Sequence, residues 1–323
     1  MSRWAALGTL AVLALAAAVL VGPAELGPGD TLRALGGRGD HVTVAIVRDL
    51  RVPRALLAFL VGGSLAVCGA VLQALVRNPL ADPYLLGLSG GAGLGAVLVI
   101  ALGIGGAWAV PAAAAVGAIA AVVLVYRLAV VAGAVLDTRI LLLAGVVVGS
   151  FAAALVGAIM ALSPAEHLRS ALLWLLGGFD AASWQAVGIF GAYAVVPLAL
   201  LVRESRPLDL LSLGEEPARF LGADVEPLKR RLYVAASVLT AAAVAVSGII
   251  GFVGLVVPHA IRILWGSTHR ALLPAAFLLG GALLVAADAV ARTAFAPLSL
   301  PVGVVTAVVG VPVFAVLVRR WAS

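Results

Sequence analysis

The chain has 323 residues, 63% of them hydrophobic and only 11% charged, with a formal net charge of +6. Soluble domains carry about 25% charged residues, so a water-soluble globular protein is excluded and a polytopic membrane protein is implied. Lys229 is the only lysine and no glycine-rich loop precedes it, which excludes a phosphate-binding loop whose lysine reaches the β/γ-phosphates.

Apolar runs bounded by charges or by Pro/Gly turns predict an all-α fold of about ten transmembrane helices. They lie near residues 4–22, 54–76, 86–104, 110–132, 139–162, 184–202, 231–249, 251–266, 271–292 and 301–318. Most of them have the roughly 20 residues a helix needs to cross about 30 Å of hydrocarbon. The first run is long enough to span, and VGPAEL after it is a poor cleavage site, so it reads as a retained helix rather than a signal peptide. No repeat period or low-complexity linker appears, and one membrane domain over residues 1–323 is the economical reading. With both termini in the cytoplasm, most basic residues fall inside; Arg33, Arg38, Arg48, Arg51, Arg54, Arg169 and Arg292 lie outside. That bias fits the orientation rule.

Five of the outer arginines cluster between Arg33 and Arg54. Arg48, Arg51 and Arg54 recur at intervals of three, which on an α-helix stacks them on one face. Two readings stand for them: a solvated rim touching headgroups, or a docking patch for an acidic partner, since guanidinium forks pair bidentately with carboxylates. Cys68, alone in an apolar run, allows no disulfide and reads as a small buried helix residue. Gly87 to Gly95 has the spacings of a dinucleotide fingerprint without the soluble βαβ unit that motif requires. Small residues that let membrane helices approach closely explain it better. His259 follows Pro258, where a bent or broken helix frees carbonyls, and reads as a satisfied structural group. Asp288 and Arg292, four apart near the outer end of the ninth span, are placed to pair along one helix face.

The stretch 203–231 breaks the apolar pattern with six acidic and six basic residues. Pro207 to Leu213 and Pro217 to Leu221 read as two short helices, separated by Gly214 and ended by Gly222. Glu215 and Glu216 precede Pro217, as a helix start favours. Leu210, Leu211, Leu213, Phe220 and Leu221 are too apolar for an idle loop in water, and apolar residues rimmed by charge mark a contact site. Lys229, Arg230 and Arg231 hold the start of the next helix at the cytoplasmic face. The sequence offers no catalytic constellation, no set of residues with metal-ligand spacing, and no reason to expect nucleic acid.

Motifs running through most of the chain resemble the permease subunit of an ABC importer, of the family that takes up ferric siderophores, haem and cobalamin. They are RVPR at 51–54, GAVLQALVRNPLADPYLLGLSGGAG at 69–93, RILLLAG at 139–145 and LLWLLGGFD at 172–180. In the second half stand LGEEPARFLG at 213–222, SGIIGFVGLVVPHAIR at 247–262, HRALLPAAFLLGGALLVAADAVAR at 269–292 and LPVGVVTAVVGVPVFAVLVRR at 300–320. The resemblance implies ten helices per subunit in a homodimer in the bacterial cytoplasmic membrane. Two ATPase subunits, carrying ATP and Mg, would bind below it, and a soluble substrate-binding protein would dock above. No cofactor would be bound by this chain. Docking would fall to Arg51, Arg54 and Arg292. ATPase coupling would fall to Leu213, Gly214, Glu215, Glu216, Ala218, Arg219, Leu221 and Gly222. The fifth helix resembles the one lining the translocation pathway, here with Leu142, Val146 and Ser150, while Asn78 and Thr138 match gate regions. His167 and Arg169 are either loop residues or contacts for an anionic chelate. The rival class, an ion-gradient-driven secondary transporter, would need intramembrane acids and inverted repeats, and only Asp288 and His259 come near the membrane interior.

Overall fold

A computed structural model describes residues 2–132 and 137–322, and among them the chain is all-helical. The helices are α1 (Arg3–Leu20), α2 (Pro28–Leu35), α3 (His41–Ala45), α4 (Val52–Val76), α5 (Leu88–Ala101), α6 (Ala109–Ala132), α7 (Thr138–Leu162) and α8 (Ala165–Leu175). They continue as α9 (Trp184–Arg203), α10 (Ser205–Ser212), α11 (Glu215–Phe220), α12 (Val225–Ser247), α13 (Val253–Trp265), α14 (His269–Thr293) and α15 (Val302–Ala322). Each of the ten predicted apolar runs coincides with a helix. Among the described residues seven helices are long and apolar enough to cross a membrane; α5, α13 and the Val302–Val316 part of α15 are shorter apolar helices.

The central element is α4, which is buried along most of its 25 residues and packs antiparallel to α14. At about 1.5 Å per residue the two helices each run about 37 Å, so both reach from one end of the bundle to the other. Their contact is close because it is made by glycines: a Cβ on Gly62 would overlap the Gly280 carbonyl, and one on Gly280 would overlap Ala66. The Gly87–Gly95 stretch works the same way. A Cβ on Gly91 would strike the Gly117 carbonyl of α6, which is the close helix approach expected of small residues in a membrane.

Three local departures from the sequence reading have physical causes. Residues Ile46–Arg51 form a π-helical turn that joins α3 to α4 in one continuous helix. Pro53 lacks the N–H that would bond Asp49, and the Val52 N–H instead reaches back to the Val47 carbonyl. The π turn spoils the α-helical stacking expected of Arg48, Arg51 and Arg54: Arg48 is exposed and Arg51 is buried. Second, α12 begins at Val225 rather than near residue 231, so the charged segment through Arg231 forms its first two turns.

Third, the helix break expected near Pro258 is centred on residues 248–252, where Gly248 and Phe252 take positive φ values of 67° and 69°. Tyr84 satisfies this non-helical backbone: its hydroxyl donates to the Ile250 carbonyl (3.0 Å) and accepts from the Ile250 N–H (3.1 Å). Lodged in protein, such backbone is tolerated at membrane depth. The carbonyl of Gly254, which Pro258 leaves without its N–H partner, accepts from Gln73 Nε2 at 3.3 Å, and that of Leu255 accepts from the same nitrogen at 3.4 Å.

Candidate functional site

Two polar regions sit at opposite ends of the α4–α14 pair. At the first, Asp288 is only 1% exposed and is held by two guanidiniums. Arg54 approaches it through Nε (3.0 and 3.1 Å) and Nη2 (2.9 Å), and Arg292, one turn along α14, through Nε at 2.9 Å. The Asp288–Arg292 pairing follows from their spacing of four, whereas Arg54 is 234 residues away from Asp288 in the chain. Arg54 also reaches Asp180 Oδ1 at 2.8 Å; its own side chain is 16% exposed and that of Asp180 is 80% exposed.

The other two predicted docking arginines are turned toward α1. Arg51 donates to the carbonyls of Val19 and Leu20 (both 3.0 Å) and Ala24 (2.7 Å), and Arg292 donates to Ala18 (3.1 Å) and Val21 (3.3 Å). Those of Ala18, Val19 and Leu20 are among the open carbonyls a helix C-terminus leaves without intrahelical partners, and cations favour that end of the dipole. Arg51, Arg54 and Arg292 thus come together, but only Arg54 offers an accessible edge. The Trp184 indole N–H donates to the Arg48 carbonyl (2.9 Å) and ties α9 to the same end. Next to it opens a cavity of about 600 Å³ whose lining includes Arg169 and Asp180. His167 instead packs on the end of α5, its Nδ1 3.2 Å from the Ala101 carbonyl.

The second region is the polar island. The two expected short helices are α10 and α11, with Gly214 at φ 122° between them and Gly222 at φ 88° after α11. Conformations like these cost a residue with a Cβ more than they cost glycine. Lys229 lies only 1% exposed beneath α11 and bonds Glu226 at 2.9 Å and Glu215 at 3.2 Å. Arg219 stands 3.4 Å from Glu226 and 3.8 Å from Glu215. Arg231 pairs with Glu204 at 2.9 Å across the turn from α9 to α10. With Ala218 buried against the bundle, this network props α11 so that Phe220 is 91% exposed, with Leu213 and Leu221 exposed beside it. Sequence reasoning gave Lys229 only the role of an interfacial charge. Its three-residue spacing from Glu226 was the available signal for a lock.

Along α7, Leu141, Ala144, Gly145, Val148 and Ala152 are buried, and that face meets α5 and the 3-10 turn Pro83–Leu86. Val146 and Ser150 lie on the opposite, uncovered face one turn apart, Leu142 is half-buried and Thr138 is buried. Asn78 caps its own turn, its side-chain oxygen accepting from the Leu80 N–H at 2.9 Å, and no hydrogen bond joins it to Thr138 among the described residues. No group of three or more His, Cys, Asp or Glu side chains that could hold a metal ion is found among them either.

The sequence pattern of the FecCD transport family matches residues 10–320. The cobalamin import system permease protein BtuC of Halobacterium salinarum is 46% identical over 276 residues, covering 85% of this chain and 73% of that protein. The hemin transport system permease protein HmuU of Yersinia pestis is 40% identical over 279 residues, covering 84% and 82%. Among solved structures, a metal-chelate type ABC transporter in an inward-facing conformation superposes with a TM-score of 0.87 at 31% identity, covering 98% of both chains.

Proposed function

Because the chain belongs to the FecCD transport family, and so is a multi-pass ABC transporter permease of the metal-chelate, cobalamin and haem type, we propose that it is the pathway-forming subunit of an ATP-driven importer. In this reading two copies, each crossing the bacterial cytoplasmic membrane ten times with both ends inside, enclose a pathway lined by α7. The uncovered, uncharged face of α7, with Val146 and Ser150 on it, suits a bulky chelate that has to be released rather than held. Asn78 and Thr138 stand where gates would narrow that pathway. A single membrane domain over residues 1–323 carries the whole role.

The observation that carries the proposal is the posture of α11. A charge network holds Phe220, Leu213 and Leu221 out into water, which has no use for them unless a partner covers them. We assign α10 and α11, with Leu213 to Gly222, as the coupling segment that enters a groove on the ATP-binding cassette. ATP and Mg belong to that partner. Closure of the two cassettes would bias the permease between its states through differential contacts, as any such cycle must. At the other end, Arg54 presents the accessible edge for a carboxylate of a soluble binding protein, while Arg51 and Arg292 seat α1 beneath it. The substrate would be a ferric siderophore, haem or cobalamin. A secondary-transport mechanism gains nothing from Asp288, whose carboxylate is already taken by two guanidiniums.

Replacing residues 215–222 with a Gly/Ser linker tests the reading. The assembled transporter should keep ATP hydrolysis and lose chelate uptake into proteoliposomes; uptake at the wild-type rate would refute the coupling assignment.

A further inference from the structure

A cavity of about 980 Å³ opens beside the polar island, between the C-terminal end of α4, α10, α13 and the start of α14. Its polar lining includes Gln73, Arg77, Asp209, His259, Arg262 and His269. Apart from Asp209, which sits on α10, none of these six belongs to the coupling segment or the outer cluster. Their chemistry is uneven in a useful way. Arg262 donates one Nη1 bond, to the Gln73 side-chain oxygen, which leaves most of the guanidinium fork uncommitted. Arg77, in a left-handed backbone conformation with φ 53° at the end of α4, projects from the turn that stops that helix.

Asp209 accepts both from the His269 backbone N–H (2.8 Å) and from His269 Nδ1 (2.6 Å). The one carboxylate among the described lining residues is thus committed to His269 rather than to Arg262 or Arg77, and His269 Nε2 is sealed from the cavity. The cavity therefore keeps two guanidiniums that its own carboxylate does not neutralise.

Its depth in the membrane is marked by two tryptophans. Trp265, one turn beyond Arg262 on α13, meets Trp4 of α1 edge to face with ring centroids 6.1 Å apart. Paired tryptophans favour the headgroup level. Ile263 and Leu264, next to Arg262, are exposed apolar side chains, as residues facing acyl chains would be.

We propose that this cavity binds the phosphate of an anionic lipid headgroup, such as that of phosphatidylglycerol. The phosphate would sit against Arg262 and Arg77. Basic pockets between membrane helices are suited to such headgroups. Since Asp209 lies on α10, an occupant would also brace the coupling segment against α14.

The test is thermal unfolding of the detergent-solubilised full chain with added phosphatidylglycerol, phosphatidylcholine of the same acyl chains, or water-soluble glycerophosphoglycerol. Phosphatidylglycerol should raise the unfolding temperature more than phosphatidylcholine. Arg262→Gln and Arg77→Gln should each weaken its apparent affinity about tenfold, the scale of one lost charge-assisted hydrogen bond. Arg77 is exposed, so its variant leaves a readable protein if Arg262→Gln does not fold. A matching shift from the soluble glycerophosphodiester would keep the site and assign it to a free solute rather than a lipid. Equal shifts from the two lipids, or an unchanged phosphatidylglycerol affinity in Arg77→Gln, would overturn the proposal.

Discussion

The two charged regions at the ends of α4 and α14 use similar residues for opposite purposes. At the Arg54 end the charges face inward: Asp288 is enclosed by two arginines, and Arg51 and Arg292 spend their donors on the last carbonyls of α1. At the α11 end the charges form a scaffold. Lys229 is buried, but Glu215 and Glu226 above it remain partly in water, and their function is to keep Phe220 outside. One region uses charge to close a structure, and the other uses it to hold an apolar surface open. A mutation should therefore cost stability at the first and coupling at the second.

The largest effect is expected from Asp288→Asn. It leaves Arg54 and Arg292 facing each other without their shared counter-ion, and breaking a buried pair in this way costs about 3–5 kcal/mol. Thermal unfolding in detergent should show a marked drop in midpoint and yield. A variant as stable as wild type would mean that the cluster is hydrated and the inward reading is mistaken.

Lys229→Met should be milder, because Glu215 and Glu226 can regain water when their cation goes. A local loss of about 1–3 kcal/mol is expected. It should appear as faster amide exchange over residues 213–224 and as fewer chelates moved per ATP, with the global unfolding midpoint nearly unchanged. Unaltered exchange in that segment would show that α11 is held by Ala218 packing alone.

The contrast also explains what could be read from the sequence. Helix positions were legible because a twenty-residue apolar run has few alternatives in a bilayer, and Asp288–Arg292 was legible because four residues make one helical turn. The polar island stood out by composition, and its two short helices by Pro and Gly placement. What stayed hidden depends on tertiary contact. Arg54 with Asp288, Arg54 with Asp180 and Asp209 with His269 are pairs 234, 126 and 60 residues apart, and no local period signals them. The π turn at Ile46–Arg51 escaped for a different reason: a spacing of three has meaning only once the helix type is known, and Pro53 changed it.

The smallest structural effect, and the most informative functional one, is expected at Asp180. Its carboxylate is mostly in water, so the Arg54–Asp180 pair should contribute no more than about 1 kcal/mol, and Asp180→Asn should fold and unfold like wild type. Yet Asp180 occupies the only accessible edge of Arg54, the edge that a carboxylate of a docking protein would need. If docking uses that edge, the chain's own aspartate competes with it, and Asp180→Asn should tighten binding of the cognate soluble protein by about two- to fivefold. The gain should shrink as salt rises, because the exposed charges are screened. Arg54→Gln should weaken binding under the same conditions. Weakening by Arg54→Gln without tightening by Asp180→Asn would keep the docking site and remove the competition. No change in either variant would place docking elsewhere and leave this end of the bundle as a clamp for α1 alone.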